Sequence, residues 1–410
     1  MSQSFCKYVW RDGDFTISNP TLDLFDKQAT DKHFVNLLDT ELSQYSYSII
    51  QPAVCDKWVA VSSLHKSIRR GEIQTALRAT AALLHLDPDY LFRRLNILAY
   101  EDIGIANPNL CLLTLFASSK RVQNSYGRDM VAYYLVEQMA KSVKSRTSTD
   151  IYCFTISDPD APSYLHSCLN TPVERLVAVA LDKDLILTHR ISALKVISGF
   201  SVRHSNGYHR TVSKARLDLL EQVCDAITLP DVLYQAVMLG NSKTEGLNAS
   251  MLLAYEMLME ARNARVGEEL IPSQEYQGIN LAALDIYCRG GRTVISQFVA
   301  ASKLLQQFLI EHPNKNPARL VGTVLFIIEG SLLNREFIFT GSQAIKEQIE
   351  LMEMQGAGLK TKEEAIKLID LIRKDMPLLQ QIRATHIDAM RDQNILLTFD
   401  NITFSKPKNE

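Results

Sequence analysis

At 410 residues the chain is too long for one small core, and two or three domains are expected. Its 46% hydrophobic and 22% charged residues exclude a disordered chain, and a net charge of −2 excludes a generally basic nucleic-acid binder. Seven scattered cysteines, odd in number and without a Cys-x-x-Cys pair, exclude a disulfide framework or zinc ribbon and point to a reducing cytoplasm.

The opening residues, MSQSFCKYVWRDGD, carry neither an apolar core nor a cleavage-site pattern, so no secretion signal is expected. The longest apolar runs, such as 323–328, fall far short of the roughly 20 residues a bilayer requires, so no membrane association is expected. Helix signals then dominate. Asp87-Pro88 offers an N-cap followed by proline at the first helical position, where its missing N–H costs nothing. Leu91, Phe92, Leu95, Leu98 and Ala99 follow at helical spacing, and Asn107-Pro108 repeats the start signal for a helix through Leu112, Leu113 and Phe116. Between them Gly104 suits a left-handed helix stop, so YEDIGIANPNL reads as a helix end, a tight turn and a new helix.

Thr171-Pro172 starts a helix through Leu176, Val177 and Val179; a turn at 182–184 leads to a second helix ending at Gly199. Further helices are expected over 217–227, 231–239, 247–265, 281–287, 292–311, 317–333, 342–354 and 362–385. Strands are few: 14–17, 151–156 and 395–399, with candidate loops at 151–162, 201–209 and 266–277. The fold class is therefore all-α. The expected divisions are an N-terminal extension (1–57), a first helical domain (58–152), a helical-pair region (153–265) and a helical C-terminal region (266–410).

Within that frame, Ser62 to Leu110 carries HKSIR, the Asp87-Pro88 start, FRRL and EDIG-x-A-x-P. This pattern resembles the region after the ATPase module in the RarA/MgsA family, replication-associated AAA+ proteins that include the Werner-helicase-interacting protein. The resemblance covers about 58–152, and the family's Lys-Ser pair is filled by either Lys144-Ser145 or Lys141-Ser142. In that family the region is helical and mediates tetramer assembly, and the proteins act at stalled or damaged replication forks. The resemblance therefore implies a helical bundle, a homo-oligomer of tetramer type, and DNA, an AAA+ ATPase or another replication protein as partners. The family's engine is not expected here: the nearest imitation of a P-loop, Gly240-Asn241-Ser242-Lys243-Thr244, lacks the required glycines and follows a helix-like stretch. No cofactor is expected.

The site candidates have competing readings. Glu101 and Asp102 sit where a helix dipole disfavours carboxylates. Ion pairing to the nearby cations His65, Lys66, Arg69, Arg70, Arg93 and Arg94, foremost Lys66 and Arg69 on the preceding helix, explains them; an interaction surface or acid–base chemistry are the alternatives. Adjacent helical residues point about 100° apart, which argues against a shared metal. Between Lys57 and Asp150 lie 13 Lys+Arg against 8 Asp+Glu, a local +5 that could bind phosphates. The nucleic-acid candidates are Lys66, Arg69, Arg70, Lys120, Arg121, Arg128, Lys144 and Arg146, then Arg203, Tyr208 and Arg210 in a glycine-containing loop. Solvated surface charge is the alternative reading of all of them. His204 and His209 lack carboxylate or cysteine company, so no metal is expected. RGGRTVISQF (Arg289 to Phe298) is either an anion-binding nest or a helix–helix turn. No local Ser/His/Asp or Cys/His arrangement exists, so no catalytic residue is assigned.

Taken together, the sequence predicts a non-enzymatic, oligomerising, DNA-associated or adaptor protein of replication, recombination or repair. A protein-binding scaffold complementing a separate AAA+ ATPase is the alternative, as is an enzyme with an unrecognised site in the C-terminal half.

Overall fold

The computed structural model describes residues 8–11, 14–17, 27–203 and 209–392. Among these, the protein is all-α, 71% helical with 20 helices, and its strands form only two-stranded sheets. Strands β1 (Tyr8–Arg11) and β2 (Asp14–Ile17) pair as an antiparallel hairpin. Helix α1 (Lys27–Gln44) lies on the bundle, where Phe34 stacks on Phe116 with ring centroids 4.3 Å apart.

The bundle itself comprises α2 (Lys57–Arg70), α3 (Ile73–Leu86), α4 (Pro88–Leu98), α5 (Pro108–Ala117), α6 (Lys120–Tyr126), α7 (Arg128–Lys141) and α8 (Thr147–Ser157). Its boundaries follow the capping chemistry. Asp56, Asp87 and Asn107 accept backbone N–H bonds from Val59, Tyr90 and Leu110 at 3.0–3.1 Å, satisfying donors the helices leave open. Gly71, at φ 70°, ends α2 in the left-handed conformation that glycine adopts without penalty.

The chain continues through α9 (Ala161–Asn170), α10 (Leu176–Leu181), α11 (Leu187–Ser198), the hairpin β3 (Phe200–Arg203) and β4 (His209–Ser213), α12 (Leu217–Ile227), α13 (Asp231–Gly240) and α14 (Leu247–Met259). Next comes β5 (Ala264–Glu268), then the short pair β6 (Glu275–Tyr276) and β7 (Ile279–Asn280), α15 (Arg289–Ala301), α16 (Lys303–Glu311) and α17 (Pro317–Leu325). Strand β8 (Arg335–Phe339) returns to pair antiparallel with β5 and precedes α18 (Ser342–Gly356), α19 (Lys362–Lys374) and α20 (Met376–Asp392). A single apolar core runs through these elements from Phe34 to Met390. No described helix is long and apolar enough to cross a membrane.

Several elements depart from the sequence expectation. The stretch 151–156 is helix, not strand, because Ile151 and Phe154 bury one face at helical spacing. The stretch 292–311 breaks at Ser302, whose Oγ caps α16 by accepting the Leu305 N–H at 3.1 Å. The stretch 362–385 breaks at Asp375, and Pro377 sits in the first turn of α20, where proline is tolerated. Helix α14 stops at Met259, so part of 247–265 is the strand β5. Only one 3₁₀ turn, Leu281–Ala283, forms within 281–287, and 317–333 closes early in a π-helical turn, Phe326–Gly330. The expected strand at 395–399 lies outside the described residues.

Gly290-Gly291 is no anion nest. The two glycines lie in the first turn of α15, and a Cβ on Gly291 would fall 1.9 Å from the Asp285 carbonyl oxygen, so this glycine exists for close backbone approach.

Candidate functional site

The basic end of α2 points inward. Two π-helical turns face it, Ala99–Ile103 and Phe326–Gly330. The first presents side-chain carboxylates and the second presents backbone carbonyls. Arg69 connects both: its Nε donates to the Asp102 oxygens at 2.8 and 2.9 Å, one Nη to Glu101 at 2.7 Å, and the other to the Gly330 carbonyl at 2.7 Å. Arg146 donates to Asp102 and, at 3.3 Å, to Glu101. Arg94 completes the ring, 3.8 Å from Glu101 and 3.1 Å from the His65 Nε2. The backbone is tied in as well, with Ser145 N–H donating to the Asp102 carbonyl and the Thr149 hydroxyl to the Glu101 carbonyl. Within the first π turn two adjacent carboxylates meet one guanidinium, Asp102 on the Arg69 Nε and Glu101 on an Nη.

Asp102 has no exposed surface and Glu101 little. Burial alone would raise the Glu101 pKa; the guanidinium groups of Arg69, Arg146 and Arg94 outweigh it and hold the carboxyl below its usual range. Burial and the Arg94 charge push His65 well down, so its imidazole is neutral and accepts from Arg94. His65, Glu101 and Asp102 offer ligand atoms within 4.8 Å of one another. A metal ion there would meet two guanidinium groups, Arg69 and Arg146, already bonded to those carboxylates, so the cluster is built for internal pairing.

The neighbouring cations are also internal. Lys66 pairs with Asp285 and donates to the Ser62 Oγ at 3.0 Å, not to Glu101 or Asp102 as the sequence suggested; α2 turns its Nζ towards the chain 219 residues on. Arg70 donates to the carbonyls of Glu329 and Pro272 at 3.1 and 3.2 Å. Lys144 is wholly buried, and its Nζ donates to the Ala140, Ser142 and Asn334 oxygens at 2.8–3.1 Å; burial lowers its pKa to about 7. It is Lys144-Ser145, not the exposed Lys141, that packs against the Glu101–Asp102 turn.

Four of the nucleic-acid candidates, Lys66, Arg69, Arg70 and Lys144, are thus buried and hydrogen-bonded inside the fold, and the half-buried Arg146 is turned onto Asp102 and Glu101. Lys120 and Arg128 lie at the surface, both against Asp89. Arg121 and Arg210 are exposed. Arg203 lies on β3, and Tyr208 lies outside the described residues.

Of the nearby cations expected to answer the two carboxylates, Arg94 does stand beside Glu101, whereas Lys66 and Arg70 bond elsewhere. One further feature has no counterpart in the sequence reading, an acidic pocket beyond Arg146 with a cavity of about 30 Å³ lined by Asp150, Glu336, Lys346, Glu350 and Glu353. Burial raises Asp150 to about 6 and Glu350 to about 7. Their folded pKa values lie above their unfolded ones, so the fold binds protons, and stability is lost as pH rises from about 4.5 to 7. Glu350→Gln is therefore expected to stabilise the protein at pH 8 by on the order of 2 kcal/mol and by almost nothing at pH 5. Urea unfolding of both chains at both pH values checks this, and an equal gain at the two pH values would refute it.

No curated protein and no solved structure matches the chain. A family model does match, over a segment that holds the Glu101–Asp102 turn, Arg94, Lys144 and Arg146 while leaving out the basic end of α2. Residues 72–153 match the model described as MgsA AAA+ ATPase C terminal, and this segment is accordingly similar to the C-terminal region of MgsA/RarA-type ATPases.

Proposed function

We infer that the chain works as a non-enzymatic, oligomerising adaptor related to the RarA family in replication, recombination or repair. The observation that carries this reading is the match over 72–153. The inward-facing charges support it, since Arg69 bridges Asp102 of the matched segment to the Gly330 carbonyl, Lys144 of that segment donates to Asn334, and the Glu101–Asp102 turn is left occupied. Such a unit offers a fixed surface to partners.

DNA association is the second reading, and exposed Lys120, Arg121 and Arg210 favour it. Light scattering on the full chain tests the assembly: a homo-oligomer is expected, and a strict monomer at micromolar concentration overturns it. Fluorescence anisotropy with single-stranded and forked DNA tests the second reading. Binding that weakens with salt is expected, and Arg121→Glu should weaken it several-fold with a shallower salt slope. No binding at low salt leaves a scaffold for proteins alone, for which co-purification with a separate AAA+ ATPase is the readout.

A further inference from the structure

A second cleft opens on the far side of Arg94. Its volume is about 480 Å³, within the usual range of small-molecule sites, and its walls bring Arg93 and Arg94 of α4 together with Ser118, Ser119, Ser242 and Lys243. These residues come from three separate stretches of chain. The 242–243 pair belongs to the segment that imitates a P-loop in sequence, but here it follows a helix, with Ser242 in the left-handed region at φ 69°.

The charges are uneven. The ring around Glu101 and Asp102 holds two carboxylates against three guanidinium groups, with His65 neutral. Arg69 and Arg146 bond those carboxylates closely, whereas Arg94 stands 3.8 Å from Glu101 and its Nε, though buried, has no partner. Arg94 is thus the cation that the ring leaves least satisfied, and it lines the cleft. Among the described residues neither Arg93 nor Lys243 makes an ion pair, and the Ser242 hydroxyl is unbonded. The Ser119 oxygen accepts the Val122 N–H at 3.4 Å, which leaves its proton free to donate. Glu245 is the one carboxylate in the lining, and Asp87, whose pKa the Lys57 hydrogen bond and, to a smaller extent, Arg93 lower, lies outside it.

We propose that this cleft binds a phosphate-bearing ligand, with Arg93, Arg94 and Lys243 on the phosphate oxygens and Ser119 and Ser242 as hydroxyl donors. Guanidinium forks match phosphate oxygens in pairs, and three cations against one carboxylate leave the cleft electropositive. A nucleoside polyphosphate and the terminal phosphate of a nucleic acid share this chemistry. The assignment does not rest on the DNA reading, whose residues Lys120, Arg121 and Arg210 are not part of the lining.

The test is calorimetry on the full chain with ADP, ATP, inorganic pyrophosphate, and one oligonucleotide with and without a 5′-phosphate. The comparison chain is Arg93→Gln/Lys243→Gln, whose two changed side chains are exposed and leave the buried ring intact; its urea midpoint should equal the parent's. Saturable nucleotide binding that pyrophosphate competes away and the double variant weakens about tenfold or more supports a small-molecule ligand. Binding of only the 5′-phosphorylated oligonucleotide, weakened alike, supports the same site with a nucleic-acid end as its source. Absence of binding by every probe, or an affinity the double variant leaves unchanged, overturns the proposal.

Discussion

An Asp102→Ala chain is expected to lose about 3–5 kcal/mol of stability, read as a lowered urea midpoint. Removing the carboxylate strips Arg69 of a two-oxygen partner and Arg146 of its main one, in a place water does not reach. Each guanidinium then carries a buried charge with too few acceptors, and that uncompensated charge, more than the lost attraction, sets the size of the effect. Glu101→Ala should cost less, because Glu101 keeps some exposure and water can replace part of what it gives. A double-mutant cycle separates the terms. Arg69→Met/Asp102→Leu should cost clearly less than the two single changes combined, since it removes both charges together. If Asp102→Ala moves the midpoint by under about 1 kcal/mol, the ring is not a desolvated connector.

That ring also marks where reading the sequence succeeds and where it stops. The turn after Tyr100 was legible because its determinants are local: Gly104 takes a positive φ of 50°, though with ψ −134° and not the left-handed helical stop expected, and Asn107-Pro108 caps and starts α5. The partnership of Arg69 with Glu101 and Asp102 was within reach too, since α2 and the turn belong to one recognisable segment. Lys66 was read wrongly for a physical reason: its counter-ion, Asp285, lies 219 residues away, and no periodicity carries such a distance. For Arg70, the acceptors are backbone carbonyls, which leave no trace in side-chain identity. The two π turns were equally silent, because nothing in AYEDI or FIIEG differs from an ordinary helical run. Charged residues default to the surface in any composition-based reading, so four buried cations, Lys66, Arg69, Arg70 and Lys144, stood among the candidates for a phosphate-binding face. The all-α class survived these errors because it rests on many independent caps and apolar stripes.

Gly291→Ala is expected to destabilise the protein by on the order of 3 kcal/mol or more, whereas Gly290→Ala should stay within about 1 kcal/mol of the parent. Both glycines lie in the first turn of α15, and alanine suits that turn better than glycine on backbone grounds. What separates them is what a methyl group meets. At Gly290 the nearest atom is the His386 Nε2 at 2.9 Å, the far end of a side chain that can rotate. At Gly291 it is main chain: the Asp285 oxygen at 1.9 Å, the Asp285 nitrogen at 2.3 Å and the Leu284 carbon at 2.5 Å. Relief requires the 284–285 backbone to move away from α15, and Asp285 is the residue that neutralises Lys66 in the interior. A single methyl therefore adds an overpacking cost and threatens a buried ion pair on the α2 basic end. The Cys288 cap, whose Sγ accepts the Gly291 N–H at 3.1 Å, would be strained by the same shift. Parallel urea unfolding of the two alanine variants checks the contrast. Equal stability of the pair would mean that the 284–285 segment yields freely, and that the Lys66–Asp285 pair does not depend on how closely it is held.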